Sequence, residues 1–410
     1  MDRKKIGKTL STILSRLGLI VLGLLLGSLS LELIFRWLYP DPTPRLVNQA
    51  LQLHDTYGIS FTPNAEGWNT SLRGEYSCYI TINSKGLRGR EYPYQKETGT
   101  FRILVLGDSF TAGLQVEDDQ LFTTLLEKRL NDSRSTEVIN AGVVGYGTAN
   151  ELAYFVNEGH KYQPDLVLLI FFTGNDIQDN ISPAHYKLEA GKLVPIEFVY
   201  NPAVGTPPWA QKGTPFRTVR NYLYTHSRLY SVAIELLAYT VIQRSPELSS
   251  WLQRLGFVEA ARPVINAGNI YSFLQPSQEA WEMTEALISA LNEQVKAYQS
   301  ELAVVILPDE TEVDVKKWQN LFATYPDLFE QTNQAYKPTD QLAQLLEEKG
   351  ISYLNLRTRF EADQQAHQRS IYFQYDGHWK PTGHALTAEA LADYITQNGA
   401  WLATTQPKQH

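Results

Sequence analysis

Ser109 and His378 are the two side chains of this sequence best suited to do chemistry together. Ser109 lies in Gly107-Asp-Ser-Phe-Thr-Ala-Gly113, directly after an apolar run, where a strand-to-helix turn would expose its hydroxyl beside a helix N-terminus. Histidine is the usual base for a serine near neutral pH, and Asp376 could accept the His378 ring N–H in a tight turn. These residue types indicate acyl transfer by an activated serine. Gly-Asp-Ser alone also makes an ordinary turn and helix cap.

Two further segments contain groups that can face a developing oxyanion. Asn140-Ala-Gly-Val-Val-Gly-Tyr-Gly-Thr148 has glycines that let the backbone approach a ligand closely, so that an N–H can point into a site. Thr173-Gly-Asn-Asp176 contains an asparagine, whose neutral amide can donate to an oxyanion without forming an ion pair. A plain loop and an Asx-turn are the alternatives when each segment is taken singly.

Asp376 and His378 could instead form half of a metal site. No further cluster of histidine or glutamate accompanies them in these segments, so we expect no metal and no cofactor. The single cysteine, Cys78, excludes an intramolecular disulfide and makes a cysteine-based metal site improbable.

Strands alternate with helices from residue 101 onward. The predicted strands are 101–106, 137–139, 166–172, 302–307 and 351–356, and the predicted helices are 120–130, 150–162, 277–299, 340–349 and 385–397. This alternation predicts an α/β fold with a parallel sheet covered on both faces. Right-handed crossovers place the loops after the strands at one edge of the sheet, where ligands bind.

Four segments resemble the blocks of the SGNH/GDSL hydrolase superfamily, and they follow one another in the same order along the chain. They contain Ser109, Gly145, Asn175, and the pair Asp376 and His378. The resemblance spans about residues 101–398 and implies a flavodoxin-like α/β/α sandwich with a central parallel sheet. It implies that Ser109 is the nucleophile, His378 the base and Asp376 the residue that orients the base. The implied oxyanion hole consists of the Ser109 N–H, the Gly145 N–H and the Asn175 side chain.

The last block departs from the usual pattern. Most members carry Asp-x-x-His, whereas this chain has Asp-x-His followed by Trp379. The shorter form resembles the extracytoplasmic polysaccharide O-acetyltransferases of the alginate-acetylating type, in which that block precedes the serine in sequence. His384, at the Gly-His position that usually opens the last helix, is expected to be structural.

The N-terminus carries an apolar run that predicts a transmembrane helix. Residues 17–35 are about long enough to cross a bilayer, and five basic residues precede them: Arg3, Lys4, Lys5, Lys8 and Arg16. The positive-inside rule then keeps the N-terminus cytoplasmic and the catalytic domain extracytoplasmic, periplasmic or at the cell surface. A cleaved signal peptide is the alternative, but no convincing A-x-A site follows the run. Ile82-Asn-Ser-Lys-Gly-Leu-Arg-Gly89 also resembles membrane-anchored bacterial members of the superfamily.

The predicted organisation has six parts. They are 1–40 (cytoplasmic tip and anchor), 41–100 (linker and strand extension), 101–180 (first half of the core), 181–275 (helical or irregular insertion or cap), 276–400 (second half of the core) and 401–410 (tail). Aromatic residues of the insertion could stack on sugars or form the core of that segment: Tyr186, Tyr200, Trp209 and Trp251.

Three functions are compatible with this reading. A serine esterase acting on O-acyl, above all acetyl, esters of envelope or exported carbohydrate is the first. A polysaccharide O-acetyltransferase would use the same site and need a membrane partner as acyl donor. A non-catalytic carbohydrate-binding or scaffold protein is the third. The expected partners are an acylated small molecule or glycan and a membrane contacted through the N-terminal helix. The net charge of -8, from 36 basic and 44 acidic residues, argues against nucleic acid.

Overall fold

A computed structural model describes most of the chain. The described residues are 3–38, 46, 50–71, 74–181, 186–196, 219, 222–223, 226–237, 276–314, 316–317, 319, 337–374 and 376–398. Tyr200, Trp209 and Trp251 of the predicted insertion lie outside them. The chain divides into two compact units, Met1–Arg45 with Gln211–Ala261 and Leu46–Ala210 with Arg262–His410.

The described elements follow one another in this order along the chain. The strands are β1 Leu51–His54, β2 Gly58–Phe61, β3 Glu66–Thr70, β4 Ser77–Thr81, β5 Phe101–Leu106, β6 Thr136–Asn140, β7 Leu166–Phe172, β8 Tyr186–Glu189, β9 Lys192–Pro195, β10 Glu301–Leu307 and β11 Ser352–Asn355. The α-helices are α1 Arg3–Leu38, α2 Ser109–Ala112, α3 Phe122–Asn131, α4 Thr148–Asn157, α5 Asp176–Asp179, α6 Arg228–Leu237, α7 Gln278–Ala297, α8 Glu310–Val313, α9 Pro338–Lys349, α10 Arg357–His367 and α11 Pro381–Gln397. Two 3-10 turns are Asp118–Gln120 and Gly159–Tyr162.

A five-stranded parallel sheet forms the centre of the second unit, in the order β11-β10-β7-β5-β6. Strands β5 and β7 are buried almost throughout, as their apolar sequences on both faces require. Counted along the chain, the sheet has strand order 2-1-3-4-5, which is the flavodoxin-like arrangement. The predicted fold class is therefore confirmed. The strand order reverses between β5 and β7, and ligand sites of such sheets lie at the carboxyl ends of the strands there.

Two hydrophobic cores lie on the two faces of this sheet. Leu104 and Leu106 of β5 belong to the core that also contains Leu152 of α4, Leu287 of α7 and Leu342 of α9. The alternate residues of β5 point the other way, because successive side chains of a strand face opposite sides. The opposite core includes side chains from β5, α3, α10 and α11: Ile103, Val105, Leu126, Phe360 and Leu391.

Two elements of this unit differ from the predictions. The predicted helix 150–162 ends at Asn157, and the 3-10 turn Gly159–Tyr162 follows it. A Cβ on Gly159 would lie 2.9 Å from Leu104 Cδ2, so this bend lets the backbone pack tightly on β5. Helix α10 was not predicted, because its sequence is polar and only Phe360 and Asp363 are buried.

The N-terminal extension of this unit contains two antiparallel hairpins, β1–β2 and β3–β4. The sequence Tyr79-Ile-Thr-Ile-Asn83 predicts a short strand, and β4 begins two residues earlier. Arg88 follows the second hairpin, and its buried guanidinium donates to Ala112 O at 2.9 Å and to Asp118 Oδ1 at 3.0 Å. Asn69 Nδ2 of β3 donates to Leu114 O at 2.7 Å. These bonds attach the extension to the segment that follows Ser109.

Three described elements fall in the predicted insertion, a pair of strands and a helix. In the second unit, β8 and β9 form a hairpin, and half-buried Tyr186 packs against the core on the α4 and α7 side. The sequence predicts an amphipathic helix around residues 229–242, and α6 of the first unit covers its first part. The end of that prediction lies outside the described residues.

The first unit contains the helix α1, of which Ser15–Leu38 is 24 residues long and apolar enough to cross a membrane. This length and composition fit a membrane span or a signal sequence. Its one acidic residue, Glu32, accepts hydrogen bonds from the N-terminus of α6: from Ser227 Oγ at 2.8 Å, Arg228 N at 2.9 Å and Leu229 N at 2.9 Å. Arg36 Nε also donates to Glu32, at 2.7 Å.

Candidate active site

Ser109 begins the short helix α2, three residues after the buried strand β5 ends. Asp108 caps this helix, because its Oδ1 accepts the Phe110 N–H at 2.9 Å. A Cβ on Gly107 would lie 2.1 Å from Thr111 Oγ1, so only glycine allows the strand to turn so sharply into the helix. The turn places the Ser109 hydroxyl at the carboxyl edge of the sheet, beside the point of strand reversal.

His378 and Asp376 lie in a tight turn before α11. Phe373 N donates to His378 O at 2.8 Å, which closes the turn, and Gly377 adopts φ +83 between the two polar residues. This left-handed conformation, which glycine adopts without strain, bends the carboxylate back toward the imidazole. Asp376 Oδ1 lies 2.6 Å from His378 Nδ1 despite the short Asp-x-His spacing.

The other ring nitrogen, His378 Nε2, lies 2.7 Å from Ser109 Oγ. Because the carboxylate accepts the Nδ1 proton, the neutral ring has its lone pair on Nε2, where it can accept the serine proton. The ring is only 7% exposed and packs against Phe110, with a centroid distance of 4.8 Å. The structure thus brings Ser109 next to His378, 269 positions later in the sequence, in the geometry that a serine nucleophile and its base require.

Three residues that the sequence did not predict contact Asp376 or His378. The Tyr76 hydroxyl donates to Asp376 Oδ2 at 3.0 Å, and the Asp376 N–H donates to Glu75 Oε2 at 3.1 Å. The Gln115 side-chain amide lies 3.2 Å from His378 Nδ1. Because Nδ1 carries the proton that it donates to Asp376, it cannot accept from the Gln115 amide nitrogen, and the amide oxygen is the end that suits this place. No motif links these positions to His378, so the sequence carried no signal for them.

The loop after β6 is tied to the serine helix. Asn140 Nδ2 donates to Thr111 O at 2.8 Å, and Val143 N donates to Gly107 O at 3.0 Å. Gly145, the predicted second oxyanion donor, has φ +81 and is exposed, with open space around the position of a Cβ. No described atom lies within 4 Å of that Cβ position.

Asn175, the predicted third donor, precedes the short helix α5 at the carboxyl end of β7. Its Nδ2 donates to Asp179 Oδ2 at 2.9 Å, whereas its buried Oδ1 has no hydrogen-bond partner among the described residues. The turn is held by Asp176, whose Oδ2 accepts the Phe172 N–H at 2.8 Å. The bond to Asp179 restricts the direction in which the Asn175 amide can point.

Four carboxyl groups lie in or near these loops, and burial raises the pKa of each. The pKa of Asp108 is raised to about 6, with the Phe110 N–H and His378 opposing the rise. Burial and the neighbouring Asp108 raise the pKa of Asp179 to about 7. The pKa values of Glu151 and Asp176 lie well above the ordinary value, because burial and the charge of Asp108 both disfavour ionisation. Burial therefore favours the neutral form of Glu151 and Asp176.

His384 is placed in the protein core. It is 1% exposed, stacks on Phe122 and makes an edge contact with Trp379. Burial, together with the positive charges of Arg88 and His378, lowers its pKa to about 3. Within the described part of the chain, no group of three or more His, Cys, Asp or Glu side chains is arranged to hold a metal ion.

Comparisons with known proteins agree with this architecture. The profile of the GDSL-like lipase/acylhydrolase family matches residues 105–386. Among curated proteins, no sequence matches the chain.

The solved structures that the chain resembles share little sequence with it. A two-domain esterase active on acetylated mannans is 9% identical with a TM-score of 0.38, and the match covers 76% of this chain and 52% of that one. A psychrotrophic esterase from Pseudoalteromonas sp. is 15% identical with a TM-score of 0.31, and the match covers 73% of this chain and 98% of that one. A catalytic mutant of an acetylxylan esterase from Geobacillus stearothermophilus is 11% identical with a TM-score of 0.37, and the match covers 73% of this chain and 96% of that one.

The profile match extends over more than half of the chain, across the strands and loops that carry Ser109 and Asn175 and the turn that carries His378. The chain belongs to the GDSL-like lipase/acylhydrolase family and is a hydrolase that cleaves ester bonds.

Proposed function

We propose that the chain is a serine esterase that cleaves O-acyl esters, above all acetyl esters, through an acyl-enzyme. One observation carries the proposal: a continuous line of hydrogen bonds runs from Asp376 through His378 to Ser109, with distances of 2.6 and 2.7 Å. A carboxylate, an imidazole and a hydroxyl in this order form the arrangement that activates serine for attack on a carbonyl.

The first half-reaction forms the acyl-enzyme. His378 Nε2 takes the Ser109 proton while Oγ attacks the ester carbonyl carbon, and the carbonyl oxygen becomes an oxyanion. When the tetrahedral intermediate collapses, the C–O bond to the alcohol breaks and the imidazolium gives its proton to that oxygen. In the second half-reaction, His378 removes a proton from water, the hydroxide attacks the acyl carbon, and Ser109 Oγ leaves with the proton.

Three donors are proposed to hold the oxyanion: the Ser109 N–H, the Gly145 N–H and the Asn175 amide. The raised pKa values of two nearby acids support this role. Burial favours the neutral form of Glu151 and Asp176, and negative charge close to the oxyanion would repel it.

The substrate class follows from the proposed location. The basic residues before the apolar segment of α1 favour a cytoplasmic N-terminus and a catalytic unit outside the cytoplasm. Acylated carbohydrates of the envelope, or exported glycans, are the esters that such an enzyme would meet. We therefore propose that its substrate is an O-acetylated glycan.

The test uses the full-length protein in detergent, with turnover of p-nitrophenyl acetate and covalent labelling by a fluorophosphonate as readouts. We expect wild type and the control Ser133→Ala, which removes an exposed hydroxyl, to react alike in both assays. Ser109→Ala should abolish both reactions, and the labelled peptide should contain Ser109. Turnover that survives Ser109→Ala, or a label at another serine, would refute the acyl-enzyme mechanism.

A second assay tests whether water or a sugar hydroxyl accepts the acetyl group from the acyl-enzyme. Wild type is incubated with an O-acetylated oligosaccharide and an unacetylated acceptor glycan. An esterase releases free acetate, whereas a transferase moves the acetyl group to the acceptor. Acetylated acceptor without free acetate would show that a sugar hydroxyl, and not water, completes the reaction.

A further inference from the structure

The β3–β4 hairpin lies outside residues 105–386, the part of the chain that the family profile matches, yet it contacts Asp376, the carboxylate proposed to orient the base. Its turn contains Glu75 and Tyr76. The Tyr76 hydroxyl donates to Asp376 Oδ2 at 3.0 Å, and Glu75 Oε2 accepts the Asp376 N–H at 3.1 Å. One segment thus binds both the side chain and the backbone of Asp376.

The same extension also holds the loop that follows the proposed nucleophile. Asn69 Nδ2 of β3 donates to Leu114 O at 2.7 Å, and Arg88 binds Ala112 O at 2.9 Å. Arg88 is 2% exposed, so these contacts form part of the packed interior. The hairpin therefore connects the loop after Ser109 with the turn that carries Asp376.

We propose that Tyr76 is a positioning residue that holds the Asp376 carboxylate toward His378 Nδ1. A carboxylate has two oxygens, and two described side chains contact them: Oδ1 lies 2.6 Å from His378 Nδ1, and Oδ2 accepts from the Tyr76 hydroxyl. A donor on the outer oxygen fixes the plane of the carboxylate and stabilises its charge. Without it, the Asp376 side chain, which is 17% exposed, can turn toward water and release the imidazole.

The short Asp-x-His spacing makes this support necessary. Asp376 reaches His378 only through the turn at Gly377, so the backbone of the carboxylate belongs to an exposed loop and not to a strand or helix. Tyr76 supplies a fixed partner from a separate hairpin. Its ring also packs on Phe373 of the same turn, with a centroid distance of 5.2 Å.

A double-mutant cycle tests the proposal, which rests on the proposed function of the same site. The variants are Tyr76→Phe, Asp376→Ala and their combination, each made in the full-length protein and assayed with p-nitrophenyl acetate. Tyr76→Phe keeps the ring contact with Phe373 and removes only the hydroxyl. We expect kcat to fall about tenfold with KM nearly unchanged, because a hydrogen bond to a charged group that orients the base is lost. In the Asp376→Ala background the same change should alter kcat by less than about twofold.

Tyr79→Phe is the matched control, because Tyr79 lies on the same hairpin and its hydroxyl bonds to Glu66 of β3 and not to the site. We expect it to leave kcat near the wild-type value. Fluorophosphonate titration of active sites corrects each rate for the fraction of folded protein. An unchanged kcat in Tyr76→Phe, or an equal fall in both Asp376 backgrounds, would overturn the positioning role. Ser109→Ala separates the outcomes, since turnover that persists in that variant refutes the proposed function itself and, with it, this inference.

Discussion

Replacing Asp179 by asparagine should make the protein progressively more stable than wild type as the pH rises. Asp179 is largely enclosed, and its Oδ2 accepts the Asn175 amide at 2.9 Å. Asparagine has nearly the same shape and can accept the same hydrogen bond, but it does not ionise. The comparison therefore isolates the free energy of ionising one carboxyl in the folded protein.

The magnitude follows from the pKa of Asp179, which burial raises from 3.8 to about 7. Below pH 3.8 the carboxyl is protonated in both the folded and the unfolded protein, so its raised pKa does not lower the free energy of unfolding. Between these values the unfolded chain loses the proton and the folded state keeps it, so the free energy of unfolding falls as the pH rises, by about 1.4 kcal/mol per unit. Above pH 7 the loss is complete. The variant should gain about 2–4 kcal/mol over this range, where the lower value allows for the partly exposed edge of the side chain.

The assay is urea unfolding of the full-length protein in detergent between pH 4 and pH 8. The fluorescence of the buried residues Trp281 and Trp379 reports on the unit that contains Asp179. Asp119→Asn removes a carboxyl from the exposed surface and controls for the change in net charge. A stability difference between Asp179→Asn and wild type that stays constant across this range would refute the argument from burial.

Two further predictions concern the loops of the site. Asn175→Ala should lower kcat for p-nitrophenyl acetate by about 10²–10³, as the loss of one oxyanion donor does in serine hydrolases, and wild-type turnover would remove Asn175 from the site. Gly142→Ala should destabilise the protein by about 1–3 kcal/mol in calorimetry, because a Cβ there would lie 2.5 Å from Ala112 N. Gly145→Ala is its matched control: nothing lies within 4 Å of the added Cβ, so only the positive φ opposes it, at about 1 kcal/mol. Equal stability of Gly142→Ala and wild type would contradict the close packing of the two loops.

The sheet was predictable because buried parallel strands and amphipathic helices leave strong periodic patterns. Strand β7, Leu-Val-Leu-Leu-Ile-Phe-Phe, is apolar on both faces, which is typical of a strand in a parallel sheet that is covered on both sides. The strand order needed the family resemblance, since alternation alone does not tell which strands are neighbours. Helix α10 escaped prediction because it buries too few apolar side chains to show a period.

The site was predictable only where its residues follow strands or sit in motifs. Ser109 and Asn175 come directly after β5 and β7, and parallel topology brings such positions together. Tyr76 contacts Asp376 across 300 residues of sequence, from a hairpin that is not part of the alternating pattern. A contact of this kind depends on tertiary packing, and no local pattern predicts it. The bend at Gly377, which makes the short spacing workable, is likewise a property of the folded turn.

Glu32 has a consequence for how the protein should be handled. Its carboxylate accepts two backbone N–H groups and one hydroxyl at the start of α6, so a residue of the apolar N-terminal helix completes a helix located nearly 200 positions downstream. Trimming the first forty residues, a common route to soluble enzyme, would leave those donors without their acceptor and expose the face of α6 that contains buried Val232. The hydrophobic segment thus also stabilises α6. Aggregation of a shortened protein would reflect the loss of the Glu32 cap and not a defect in the esterase unit.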